Sequence, residues 1–262
     1  MTALGFGGEV AELYRQYRRG YPDETIDALT HAFDLGADDL VLDVGCGTGQ
    51  LSLPLARRVR GVVGLDPEAD MLVQARAAAA DQHNTMWVLG SDRDVSAIAQ
   101  FVGQLAAVTI GQALHWMDHT QLFATVRPLL RDGGGIAVVT NGVPLWQQDT
   151  RWSSALARFL QEWLGTTLTA ACGTDERSQQ TYRRSLAAAG YVVRETSMQY
   201  SAPLTFAELF GGVLSAMPRQ QLPSGGEREE FGRRLCDAVG PGPFVEDVSV
   251  RLLLGQRDQT SA

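Results

Sequence analysis

The stretch Val41–Gln50, "VLDVGCGTGQ", sets three glycines at alternate positions, Gly45, Gly47 and Gly49, behind a short apolar run that carries Asp43. The β-branched, apolar run reads as a buried strand. The glycines read as a loop whose backbone either takes conformations that strain other residues or lets a ligand approach with no Cβ in the way. A helix after such a loop presents free N–H groups and a partial positive charge. In open α/β sheets ligands bind here, outside the carboxyl end of a strand where the strand order reverses. A nucleotide is the expected occupant.

Outward from this loop the chain alternates. Residues 9–20 ("EVAELYRQYRRG") and 21–33 ("YPDETIDALTHAF") read as short helices. "QLSLPLARRV" has helical spacing, "GVVGLD" is a buried strand ending in Asp66, and "PEADMLVQARAAAAD" is a helix opened by Pro67. "TMWVLG", "AAVTIGQAL" and "GIAVVTNG" read as further strands, with a helix over "HTQLFATVRPLLRDGG" stopped by glycine. Continuous apolar strands between helices predict a parallel sheet covered on both faces. Beyond Asn141 the rhythm changes. Residues 144–190 and 204–239 read as mostly helical, while "YVVRETSMQYSA" and "EDVSVRLLLGQR" alternate as late strands. The expectation is an α/β, Rossmann-like, doubly wound, mostly parallel seven-stranded sheet with an antiparallel edge strand. A cap and cofactor-binding core over 1–142 would carry helical covering segments at 143–190 and 204–243, with final strands at 191–203 and 244–257.

Composition narrows the classes of function. The net charge of −8 argues against a nucleic-acid surface, which needs clustered positive charge. No apolar run approaches the ~20 residues of a membrane span. "MTALGFGGEV" shows no basic segment followed by an apolar stretch, so the cytoplasm is the expected compartment. Cys46, Cys172 and Cys236 are scattered, which predicts neither disulfides nor a zinc site. His115 and His119 have i, i+4 spacing but no evident third ligand, so no metal is expected. All 22 basic residues are Arg, which removes lysine-based covalent catalysis and looks like the codon bias of a GC-rich genome.

The glycine spacing separates two nucleotide cofactors. Dinucleotide enzymes place a pyrophosphate at this helix end with the pattern G-x-G-x-x-G. Here the pattern is G-x-G-x-G with Gln50 next. Asp43 would repel a pyrophosphate and welcome an ammonium. Asp66 can accept both ribose hydroxyls of either cofactor. "DVGCGTGQ" followed by "GLDPEADML" resembles the first two motifs of class I S-adenosylmethionine-dependent methyltransferases of the small-molecule type. The resemblance covers about residues 10–142.

That resemblance implies S-adenosyl-L-methionine as cofactor. It places the loop backbone at Gly45, Cys46 and Gly47 against the methionine and ribose portion, Gln50 also at the cofactor, Asp66 on the ribose, and Pro67 and Met71 on the adenine. "GSD" implies Ser91 or Asp92 at the adenine edge, and "GQALHW" implies Gln112 and Ala113 beside the methionine. "YRQYRRGYP" is similar to a family segment that folds over the cofactor, with Tyr14 as a cover and Arg18 for the methionine carboxylate, although Arg19 replaces a proline.

His115 would face the acceptor as general base, since an imidazole suits proton removal from a hydroxyl, amine or activated carbon. Tyr21, Trp116, Trp146, Trp152, Phe206 and Phe210 are the expected acceptor-binding walls. The expected partner is a small molecule, with tailoring of a specialised metabolite suggested by the GC-rich composition. An NAD(P)-dependent oxidoreductase and a non-catalytic cofactor-binding protein of the same fold are the alternatives.

Overall fold

The computed structural model of the protein describes residues 5–168 and 172–258. Its helices are α1 (Glu9–Tyr17), α2 (Asp23–Ala32), α3 (Ser52–Ala56), α4 (Ala69–Ala78), α5 (Val95–Val102), α6 (His119–Val126), α7 (Arg151–Leu164), α8 (Glu176–Ala188), α9 (Phe206–Leu214) and α10 (Gly225–Val239). Its strands are β1 (Leu40–Val44), β2 (Gly61–Asp66), β3 (Thr85–Leu89), β4 (Leu105–Gly111), β5 (Leu130–Asn141), β6 (Tyr191–Leu204) and β7 (Phe244–Arg257).

The strands form one seven-stranded sheet in the order β3-β2-β1-β4-β5-β7-β6. β1 to β5 are mutually parallel, and β7 runs antiparallel to both β5 and β6. The reversed strand β7 therefore lies one place inside the rim, with β6 outermost. The strand order reverses between β1 and β4, so the loops after these two strands diverge and open a crevice at their carboxyl ends.

The strand sequences explain their place. Every residue of β2 is buried, as a continuous apolar run between two helical layers requires. One core cluster packs Leu42, Val63, Val108, Phe123 and Leu186 on one face, and another packs Ile26, Leu55, Val62, Ala137 and Val250 on the other. A third cluster, with Trp152, Phe159, Leu209 and Phe231, joins α7, α9 and α10 as a separate covering layer.

Three expectations need correction. Helix α6 stops at Val126, not at the glycines, because Pro128 removes an N–H and the chain turns through Arg127–Leu129 into β5. Helix α5 was not foreseen. Its entry is marked by a capping box in which Ser91 and Asp94 bond each other's backbone N–H regions. Helix α8 is not part of the cover. Tyr182 and Leu186 belong to the sheet's own core cluster, so the stretch 143–190 is split between the two layers.

Candidate functional site

Two adjoining cavities occupy the crevice. One, of about 580 Å³, is lined by Asp66, Pro67, Met71, Ser91, Asp92 and Ala113. The other, of about 620 Å³, is lined by Arg18, Tyr21, Asp43, Gln50, His115 and Trp146 and lies beneath α1 and α9. Phe6, Tyr14, Gly45, Gly47, Gly111, Gln112 and Trp116 line both and form the passage between them.

The first cavity is set by the glycine loop and by the end of β2. Gly45 has φ 71° and Gly47 φ 55°, in the left-handed region that side chains resist. A Cβ at Gly45 would collide with the Cβ of Ala113 and lie 3.0 Å from Met117 Cε, so glycine lets the β1 and β4 loops meet. A Cβ at Gly47 would meet nothing within 4 Å, which leaves open space against its backbone. Asp66 is buried and accepts from Gly47 N at 2.8 Å and from Glu68 N at 2.9 Å. Burial raises its pKa, and those two N–H donors act against the rise. The bonds aim its carboxylate into the cavity mouth beside the loop.

Asp43 departs from its expected part. It is buried, and its two oxygens take the hydroxyls of Ser52 at 2.5 Å and Thr109 at 2.9 Å. These bonds tie α3 to β1 and β4 where a ligand amine was expected. Burial pushes its pKa up to about 6 against the pull of both hydroxyls. Cys46 is also turned inward. Its Sγ lies 2.9 Å from where a Cβ at Gly64 would be, and burial drives its thiol well above the usual range.

At the adenine end the structure separates Ser91 from Asp92. The Ser91 hydroxyl donates to Asp94 at 3.1 Å within the capping box. Asp92 accepts one long bond from Asp118 N at 3.4 Å and lines the cavity. Asp94 accepts from Ser91 N at 2.8 Å and caps the turn that leads into α5.

In the second cavity His115 sits in a single turn, Leu114–Trp116, that directly follows β4. Burial lowers its pKa, so the imidazole is neutral at pH 7. Its ring lies 5.0 Å from that of Trp116, and its nitrogens make no hydrogen bond among the described residues. Arg18 stacks over Tyr14 at 5.4 Å, and its Nε donates to Ser215 at 2.9 Å. It has no carboxylate partner among the described residues. Arg19 instead pairs with Glu246 at 2.8 Å, which replaces the rigidity expected of a proline with an ion pair. Burial raises the phenols of Tyr14 and Tyr21, so both stay protonated.

Buried amide atoms border the second cavity. Gln50 Nε2, Gln112 Oε1 and Asn141 Oδ1 have no hydrogen-bond partner among the described residues, and Gln112 holds a positive φ of 55°. Unpaired buried polar groups cost about 1–3 kcal/mol each, and their concentration at one place marks a site for a polar ligand.

All fourteen residues expected to hold the cofactor line one cavity or both. Tyr21, Trp116 and Trp146 line the second. Trp152, Phe206 and Phe210 line neither. Trp152 is 8% exposed and packs edge-on to Phe244, while Phe206 stacks on Phe210 against Phe231. Trp152 belongs to the core of the covering layer, and Phe206 and Phe210 pack half-buried against it. Phe6 lines both cavities and was missed. It stands alone in a glycine-rich stretch with no periodicity to place it. No group of His, Cys, Asp and Glu suited to a metal occurs among the described residues, and no helix among them is long and apolar enough to cross a membrane.

A doubly wound sheet with a glycine loop after β1 and an acid closing β2 defines a nucleotide-cofactor domain. Residues 41–134 match the family described as methyltransferase domain, from β1 into β5. An uncharacterized methyltransferase of Mycobacterium tuberculosis is 37% identical over 139 residues, 53% of this chain and 53% of that protein. The chain thus spans about half the length of the curated relatives it matches. A 23S rRNA uracil C5-methyltransferase of Stenotrophomonas maltophilia is 51% identical over 51 residues, 18% of this chain and 12% of that protein. A solved structure described as a type II methyltransferase from Anaeromyxobacter dehalogenans superposes with TM-score 0.60 at 19% identity, covering 92% of this chain and 98% of the other. Residues 41–134 thus resemble a methyltransferase domain, and the sheet around them has the fold of that solved structure. The residues fit S-adenosylmethionine, the cofactor expected from the sequence: open backbone at Gly47, the buried Asp66 carboxylate at the end of β2, and unpaired amide atoms at the second cavity.

Proposed function

We propose that this chain transfers a methyl group from S-adenosylmethionine to a small molecule that carries an O, N or C nucleophile. The observation that carries this reading is the division of the crevice. His115 lines the second cavity and not the first, while the glycine loop, Gln112 and Trp116 line both. In this reading Asp66 accepts the ribose hydroxyls, Pro67 and Met71 pack on the adenine, and Asp92 accepts from its exocyclic amine. Arg18 supplies the cation for the methionine carboxylate. The cofactor supplies a methyl on a sulfonium, which is displaced in line.

The protein's work is alignment and exclusion of water. Tyr14 and Trp116 close the passage, and His115 in its neutral form takes the acceptor's proton. The second cavity is walled by Trp146, Leu145, Leu160, Val213 and Met217, which suits a largely apolar molecule of modest size. Such a molecule, in a cytoplasmic tailoring step on a specialised metabolite, is consistent with the acidic, lysine-free composition. The rRNA enzyme's likeness covers 18% of this chain and carries no argument for an RNA acceptor.

The test is incubation with methyl-labelled S-adenosylmethionine and a panel of small phenols, amines and activated-carbon compounds, with 23S rRNA as competitor. Label in a small molecule, lost in His115→Ala, is the expected result. Label in the RNA alone would sink the proposal.

A further inference from the structure

The segment Gly5–Gly8 makes a strap across the mouth of both cavities. On one side it is held by the start of α4, where Gly5 N donates to Glu68 Oε1 at 3.2 Å and Gly8 N donates to Asp70 Oδ2 at 2.5 Å. On the other side it is held by the connection between α9 and α10. Arg219 N donates to Gly5 O at 3.1 Å, and a Cβ at Gly8 would lie 3.3 Å from the Arg219 guanidinium carbon. The strap bears a single side chain, Phe6. That ring lines both cavities and meets Trp116 edge-on at 6.2 Å. Trp116 is 53% exposed, so the pair is a surface closure over the passage and not part of the core.

The glycines let the strap lie close to its anchors. A Cβ at Gly7 would come 3.0 Å from Asp70 Oδ2, so the strap lies flat against the acid that holds it. Its bonds to the body are backbone bonds to two carboxylates and one carbonyl bond to Arg219 N. None joins the sheet. Glu68 and Asp70 flank the same turn as Asp66 and Pro67, so whatever orders that turn also sets the strap's anchor.

Resting on the cofactor reading above, we propose that Phe6 is a positioning residue that seals the nucleoside in the first cavity. The strap is its latch, joining the cofactor turn to the layer that covers the acceptor. An adenosine-bearing ligand loads with the strap open. The ring then closes on Trp116 and shuts water out of the passage.

The test measures S-adenosylhomocysteine by calorimetric affinity and by dissociation rate, followed through Trp fluorescence, in the full chain. Phe6→Ala should weaken affinity and speed dissociation about tenfold, the scale of one aromatic contact. Phe6→Tyr should restore both. Asp70→Ala touches neither cavity and should speed dissociation in the same direction, with no added effect in the Phe6→Ala background. Thermal melting of the variants without ligand should match that of the parent, which separates latching from folding. Affinity and dissociation within twofold of the parent in Phe6→Ala would overturn the proposal. So would additive effects of the two substitutions. Failure of the parent itself to bind S-adenosylhomocysteine would instead overturn the cofactor reading.

Discussion

The floor of the crevice and its cover are built by different rules. The floor is made of backbone: Gly45 and Gly47 in left-handed conformations, Asp66 fixed by two N–H groups, and His115 in a turn directly after β4. Each constraint acts within a few residues of a strand end. The cover is made of side chains from α1, α7, α9 and α10, brought together over long sequence separations. Aromatic residues there divide between wall and core according to packing alone. Trp146 faces the second cavity, while Trp152, six positions on, packs on Phe244. In the proposed reading, chemistry is concentrated in the floor and the stability of the second cavity in the cover.

The comparison can be broken at either end. The largest effect is expected in the cover. Trp152→Ala should cost about 3–5 kcal/mol of stability, the range for removing a buried large aromatic, as read by denaturant unfolding. Its affinity for S-adenosylhomocysteine, measured well below the transition, should stay within a few-fold. A large loss of affinity without loss of stability would mean that Trp152 is site and not core. In the floor, Gly45→Ala should lower ligand affinity as well as stability. Its Cβ would strike Ala113 and its φ of 71° is strained for alanine. Cofactor affinity should fall by about 100-fold, roughly 2.7 kcal/mol. Retained affinity would show that the loop does not hold the ligand.

His115→Ala is expected to lower turnover by about 10²-fold while leaving S-adenosylhomocysteine affinity nearly unchanged. Because burial lowers the imidazole pKa, the base form is present at neutral pH. The parent's rate should be level above pH 7 and fall as pH drops through a value under the ordinary 6.5. An acid limb centred above pH 7 would assign the proton to another group.

The smallest effect sharpens the floor's cost. The folded-state pKa of Asp43, about 6, lies above its unfolded value of 3.8, so the folded chain holds this proton more tightly. Stability should therefore fall as pH rises from about 4 to about 6. Asp43→Asn should flatten that fall and gain roughly 1–2 kcal/mol at pH 8 relative to the parent, with no gain at pH 3. An unchanged slope would place the pH dependence elsewhere.

The same division explains what could be read in advance. β1, β2 and the loop between β1 and α3 were legible because continuous apolar runs, glycine spacing and a strand-end acid are local signals. The two late strands were visible by alternation, though only the pairing shows that β7, not β6, is the reversed one. Helix α5 hid behind an acidic stretch whose capping box at Ser91–Asp94 was the available signal. Asp43 misled because a carboxylate beside a ligand loop reads as a ligand contact, whereas Ser52 and Thr109 meet it from elements distant in sequence. Phe206 and Phe210 misled because nothing local distinguishes a ring that faces a cavity from one that faces Phe231.

In the proposed function the floor holds an adenosine with a sulfonium tail and not a dinucleotide. Calorimetric titration of the purified chain with S-adenosylhomocysteine, and separately with NAD and NADP, tests it most directly. Saturable binding of S-adenosylhomocysteine alone is the expected result, weakened about 100-fold in Gly45→Ala. Binding of NAD or NADP with none of S-adenosylhomocysteine would contradict it.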